Sequence, residues 1–123
     1  MIPSEGARFW ELADQLVATH AIVIDRPRGS AHPRMPDIIY PLDYGYLAGT
    51  TAADGGGIDV WRGSLDAARV TAAIVTIDTF KRDAELKLLV GCTIDEAGLA
   101  LRTHEQPRQA ALLIRRPAPP GDG

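Results

Sequence analysis

Apolar residues fall along this chain in short blocks of two different periods, separated by stretches rich in proline and glycine. Phe9, Leu12, Leu16 and Val17 lie three, four and one positions apart, the spacing of one buried stripe, and predict a helix over 4–19. Ser4 stands as its N-cap, with Glu5 in the first turn. Ala21 to Asp25 is a β-branched run that Pro27 ends, which reads as a strand leaving a sheet. The loop Arg26 to Asp37 holds three prolines, a glycine and three arginines. Ile38 to Tyr40 predicts a brief strand, Pro41 to Gly45 a turn, and Ile58 to Trp61 a strand that follows the glycine-rich loop Thr50 to Gly57. Arg69 to Asp78 and Asp83 to Cys92 predict an antiparallel hairpin around Thr79 to Arg82. Thr93 and Glu96 have the capping-box spacing for a helix over about Ile94 to Arg102, and Gln109 to Ile114 supplies one more strand.

These elements describe a mainly β chain with flanking helices (α+β), a small antiparallel barrel or curled sheet with one helix at each end. A length of 123 residues suits one domain over 1–116, followed by a loose proline- and glycine-rich tail over 117–123. With 46% hydrophobic and 24% charged residues, the composition is that of a folded globular chain. Charges at Glu5, Arg8, Glu11 and Asp14 break up the N-terminal segment, so neither a targeting signal nor a membrane span is expected and the location expected is the cytoplasm. The lone Cys92 lies in an apolar run and reads as a buried structural thiol. A net charge of −3 and 6% aromatic residues count against nucleic-acid binding.

Charge is nevertheless distributed unevenly. Arg26, Arg28 and Arg34 share one loop, whereas Asp54 and Asp59 flank the glycine loop and Asp78 and Asp83 flank the hairpin turn. Carboxylates that converge across tight turns supply the hard oxygens that Mg²⁺ or Mn²⁺ requires, and neighbouring arginines suit an anion sharing the site. Aspartates beside glycines and in hairpin turns are equally the residues that build such turns, so spacing alone leaves both readings open.

Tyr40-Pro41-Leu42-Asp43-Tyr44-Gly45-Tyr46, then Gly49-Thr50, then Asp54-Gly55-Gly56-Gly57-Ile58-Asp59-Val60 resembles the central signature of family I inorganic pyrophosphatases. That signature reads Y-P-x-D/N-Y-G-F/Y, G/H-T and D-G-D-P-L/V-D-V. Ile24 to Ser30 resembles the strand I-E-I-P-K-G-S upstream of it, and Asp78 and Asp83 keep the spacing of the second aspartate pair. The resemblance implies an OB-like antiparallel five-stranded barrel, a homo-oligomer, and Mg²⁺-dependent hydrolysis of pyrophosphate by metal-activated water. It places Asp54, Asp59, Asp78 and Asp83 at the metal and makes Asp59, Tyr44 and Arg34 catalytic. Arg34, Tyr44, Arg28 and Lys87 are placed at the substrate, and Asp25 at an acidic supporting position.

Two positions depart from the pattern: Gly56 replaces its middle aspartate and Glu85 a lysine, with Lys87 two residues further along the same strand face. The chain is also shorter than the family's. These departures open an alternative, a relative that binds metal and a phosphorylated ligand without turnover, or that hydrolyses an organic diphosphate.

Overall fold

A computed structural model describes residues 6–65 and 68–118. The Ser4 cap and residues 119–123 of the expected tail lie outside them. Helix α1 (Ala7–Thr19) is followed by β1 (Ile22–Arg26), β2 (Asp43–Leu47), β3 (Ile58–Arg62), β4 (Val70–Asp78), β5 (Asp83–Val90), helix α2 (Ile94–Thr103) and β6 (Gln109–Arg115). The strands form one sheet in the order β1-β2-β3-β5-β4-β6, so β1 and β6 are its edges and it does not close on itself. The mainly β, OB-like expectation matches this sheet, which has six strands where the resemblance implies five, and β6 is the strand expected over Gln109 to Ile114. Pairing is antiparallel throughout except between β3 and β5, which are parallel. The β4–β5 hairpin brings this about, since β5 inserts between β3 and β4 after the turn.

The two faces carry separate cores. On one, α1 covers Leu47, Val60, Ala73 and Leu88. On the other, α2 packs Ala97 and Ala100 against Tyr44, Trp61, Ile74 and Leu89. A bulge between Val70 and Ala72 lets Val70 join the first core and Ala72 the second. Helix α2 begins with the capping box foreseen in the sequence, Thr93 and Glu96 each accepting the other's backbone N–H.

Helix α1 is rotated by about one position from the expected stripe. Trp10, Ala13 and Val17 are its buried residues, while Phe9 and Leu12 are exposed. The largest side chain takes the core side, with the Arg116 guanidinium 6.0 Å from its ring centroid and Phe9 at its edge. Arg116 also grips Asp14 of α1 at 2.8 Å, which ties the end of β6 to the helix.

The segment from Pro41 to Gly45 is not a turn, because only Pro41 and Leu42 bend and β2 starts at Asp43. Gly45 makes this possible, since a Cβ there would sit 1.8 Å from the Val23 carbonyl oxygen of β1. The brief strand expected at Ile38 to Tyr40 is a single bridge between Ala31 and Ile39. Backbone bonds from Gly29 to Tyr40, Tyr40 to Ser30 and His32 to Ile38 fold the basic loop back on itself. No described helix is long and apolar enough to cross a membrane.

Candidate functional site

Strand register determines which polar side chains meet. Asp59 of β3 stands opposite Lys87 of β5, and Glu85 lies two residues before Lys87 on the same face. The Lys87 ammonium is 2.9 Å from Asp59 Oδ2, 2.9 Å from Glu85 Oε2 and 2.9 Å from Tyr44 Oη. An ammonium has only three N–H donors, so all of them are engaged inside the protein, and the residue is 3% exposed. Burial alone would lower the Lys87 pKa. The Tyr44 and Asp59 oxygens, with the hydrogen bond to Glu85, outweigh it and hold the pKa above its ordinary value. Burial likewise pushes the Tyr44 phenol up, with the Lys87 charge opposing and Asp59 reinforcing.

A second layer of charge lies beyond this cluster. Lys81 Nζ is 3.7 Å from Asp83 and 3.9 Å from Glu85. Arg26 donates to the Tyr40 hydroxyl and lies 5.5 Å from that ring's centroid. His32 stacks on Tyr40 at 6.2 Å, and its Nδ1 accepts the backbone N–H groups of Arg34 and Met35, so its Nε2 carries the ring proton. Partial burial, then the charges of Arg26, Arg34 and Lys81, lower the His32 pKa. The positive charges of Arg26, Arg34 and Lys81 thus all bear on one imidazole. His32 and Lys81 escape a reading of the sequence because only the folded-back loop and the hairpin turn bring them together.

Asp78 is held by a chain of hydrogen bonds from the core. Trp61 Nε1, which can only donate, is 3.1 Å from His104 Nε2, so the imidazole proton is on Nδ1 and is donated to Gln109 Oε1 at 3.1 Å. Gln109 Nε2 donates to Asp78 Oδ2 at 3.2 Å, while Asp78 Oδ1 accepts the N–H groups of Phe80 and Lys81 at 2.9 Å each. The backbone bond from Lys81 outweighs burial and lowers the Asp78 pKa. Burial, reinforced by the Lys87 charge, lowers the His104 pKa to about 4.

The donors expected for a metal are thus differently occupied. Asp78 shapes the hairpin turn, and Asp54, in an exposed loop, accepts the Gly56 N–H at 3.0 Å. Asp83 faces Lys81, and Asp59 is bound to Lys87. Among the described residues no three His, Cys, Asp or Glu side chains are placed to hold one ion. As arranged, the set does not fit Mg²⁺ or Mn²⁺, since the ammonium of Lys87 takes the place between Asp59 and Glu85 where a divalent ion would find two carboxylates. Asp54, Asp59 and Glu85 do line one cavity of about 240 Å³. Thr76 faces Glu85 across the β4–β5 pair, and its Oγ1 is the one buried side-chain polar atom without a partner among the described residues.

Other expected site residues lie further out. Arg34 and Arg28 are exposed on the basic loop, where the Arg28 N–H donates to Asp43, and Asp25 is exposed on β1. Cys92 is buried, and burial pushes its thiol up to about 12, which makes it inert.

Neither a family model nor a curated protein matches the chain. Solved structures do match its fold. An inorganic pyrophosphatase from Helicobacter pylori superposes with a TM-score of 0.53 at 16% identity, over 76% of this chain and 81% of that one. An inorganic pyrophosphatase from Coxiella burnetii gives 0.54 at 14% identity, over 75% of this chain and 81% of that one. An inorganic phosphatase from Anaplasma phagocytophilum gives 0.52 at 14% identity, over 76% and 81%. The chain therefore has a pyrophosphatase-like fold, the fold that the Tyr40 to Asp59 resemblance implies. Likeness at these identities extends to fold alone.

Proposed function

We propose that the chain binds a phosphorylated ligand, inorganic diphosphate foremost, on the rim formed by Arg26, Arg34 and Lys81. The observation that carries this reading is that Arg26 and His32 meet on Tyr40 and Lys81 lies against Asp83 and Glu85, next to the Asp59–Lys87–Glu85 cluster, on a pyrophosphatase-like fold. A diphosphate is strongly anionic, and guanidinium forks grip its oxygens through paired charge-assisted hydrogen bonds. Lys87 and Lys81 offset the carboxylates that would otherwise repel it. Calorimetry with pyrophosphate in EDTA tests this: salt-sensitive binding, weakened about tenfold or more by Arg34→Ala, is expected from the loss of a phosphate-gripping fork. Absence of any binding to pyrophosphate or to a panel of nucleotide and organic diphosphates would sink it.

A second reading is Mg²⁺- or Mn²⁺-dependent hydrolysis of pyrophosphate, which requires Asp54, Asp59, Asp78 and Asp83 to leave their present partners for the metal and Lys87 to be released, with Tyr44, Arg34 and Arg28, to the substrate. The order and spacing of those residues on this fold favour it. Metal-dependent phosphate release that disappears in Asp59→Asn would establish it over binding alone.

We further propose self-association. Ile77, Leu86, Leu112 and Ile114 are exposed on three adjacent strands, and β6 is an edge strand with no charged residue before Arg115. Exposed apolar strand edges pair readily with a second copy.

A further inference from the structure

We infer that Lys87 is the resident cation of this site, and that its removal converts the pair Asp59 and Glu85 into a divalent-metal site that the unaltered protein lacks. The inference deepens the binding reading above and rests on it only for the identity of the ligand.

Three observations carry it. The ammonium lies 2.9 Å from one oxygen of each carboxylate, so those oxygens already converge on a single point. That point is defined by the backbone, because Asp59 and Lys87 are paired residues of adjacent strands and Glu85 precedes Lys87 on the same face. Finally, Lys87 is 3% exposed and its third donor is taken by Tyr44, so it is neither a solvent-facing lysine swinging past the site nor a group with a proton to spare for a ligand. Lysine brings one positive charge on an aliphatic stem, where Mg²⁺ would bring two and a shell of water. A site filled in this way needs no metal to hold its carboxylates together and leaves the anion to the arginine rim. Lys87 is accordingly a positioning residue.

The test is Mn²⁺ titration followed by electron paramagnetic resonance, without any phosphate present. The unaltered protein is expected to leave Mn²⁺ free at concentrations up to about 1 mM, in the weak range for carboxylate sites. Lys87→Met, which keeps the apolar stem and removes the charge, is expected to bind it at least about tenfold more tightly, and Asp59→Asn in that background to abolish the gain. A Mn²⁺ site in the unaltered protein that Asp59→Asn removes would overturn the inference, as would a folded Lys87→Met that gains no Mn²⁺. Should Lys87→Met fail to fold, the unaltered protein and its Asp59→Asn variant decide the matter alone through Mn²⁺-dependent shifts in melting temperature: none supports the inference, and an Asp59-dependent rise overturns it. Failure of pyrophosphate to bind would instead overturn the ligand reading, leaving the Mn²⁺ result to stand.

Discussion

Asp59 and Lys87 face each other across the one parallel strand pair in the sheet, their charged atoms 2.9 Å apart. The pair is asymmetric: the Lys87 side chain is 4% exposed and that of Asp59 28%, so the cation depends on the carboxylate more than the reverse. Removing one partner of a buried pair leaves the other charge desolvated. Asp59→Asn is therefore expected to destabilise the fold by about 1–3 kcal/mol, less than a fully buried pair would lose because Glu85 remains. Urea denaturation with an unchanged slope checks it.

Stability should decline in mild acid. His104 takes up its proton less readily in the folded chain, at about 4, than in the unfolded chain near 6.5. Protonation in that window favours unfolding, so the contribution is complete above the upper value and is lost as pH falls through it toward the lower. A shift of that size is worth roughly 3 kcal/mol in full. The depressed Asp78 acts in the same direction at lower pH. Melting temperature against pH, together with a His104 imidazole signal that stays unprotonated at pH 6, is the measurement.

Thr76→Val should stabilise the protein by about 1 kcal/mol, since a buried hydroxyl without a partner costs more than the methyl that replaces it. The side chain is almost completely buried and its Oγ1 unpaired among the described residues. A loss of stability would instead indicate that the hydroxyl is used.

Gly56→Asp restores the carboxylate of the resembling signature. A Cβ at Gly56 meets nothing nearer than Asp54 Oδ1 at 3.5 Å, so the substitution should leave stability within about 0.5 kcal/mol. It adds negative charge beside the cavity, and pyrophosphate binding is expected to weaken several-fold. If pyrophosphate turnover with Mg²⁺ appeared instead, the hydrolase reading would gain.

Leu112→Lys places a charge at the most exposed apolar position of the edge strand, where 70% of the residue is accessible. Light scattering should show the assembly of the unaltered chain reduced to monomer, with the melting temperature of the monomer retained.

Much of this architecture is legible in the residues. The Thr93 to Glu96 cap and the hairpin around Thr79 to Arg82 are local signals, and each specifies its own geometry. The run Tyr40 to Asp59 marks the fold by resemblance, while its local pattern misplaces a turn over Pro41 to Gly45. Less legible is whatever depends on pieces distant in the chain. The parallel register of β3 and β5 follows from a strand insertion that no local pattern encodes, and it is this register that brings Lys87 to Asp59. Asp78 has the spacing of a metal ligand, yet its Oδ1 is held by the turn and its Oδ2 is taken by Gln109, which arrives on β6. The helical stripe of α1 was displaced toward Trp10 because a period marks a face only to within a residue, whereas side-chain volume decides the final rotation.

The chain from Trp61 through His104 and Gln109 to Asp78 also has an optical consequence. Indole emission responds to the charge and hydrogen bonding of its neighbours, and this indole is wired to the hairpin turn that carries Lys81. Trp10 lies in the other core, beneath Arg116, and is insulated from those events by the thickness of the sheet. With Trp10→Phe as background, the fluorescence of Trp61 becomes an intrinsic reporter of events at the hairpin turn, and a ligand can be titrated without any label.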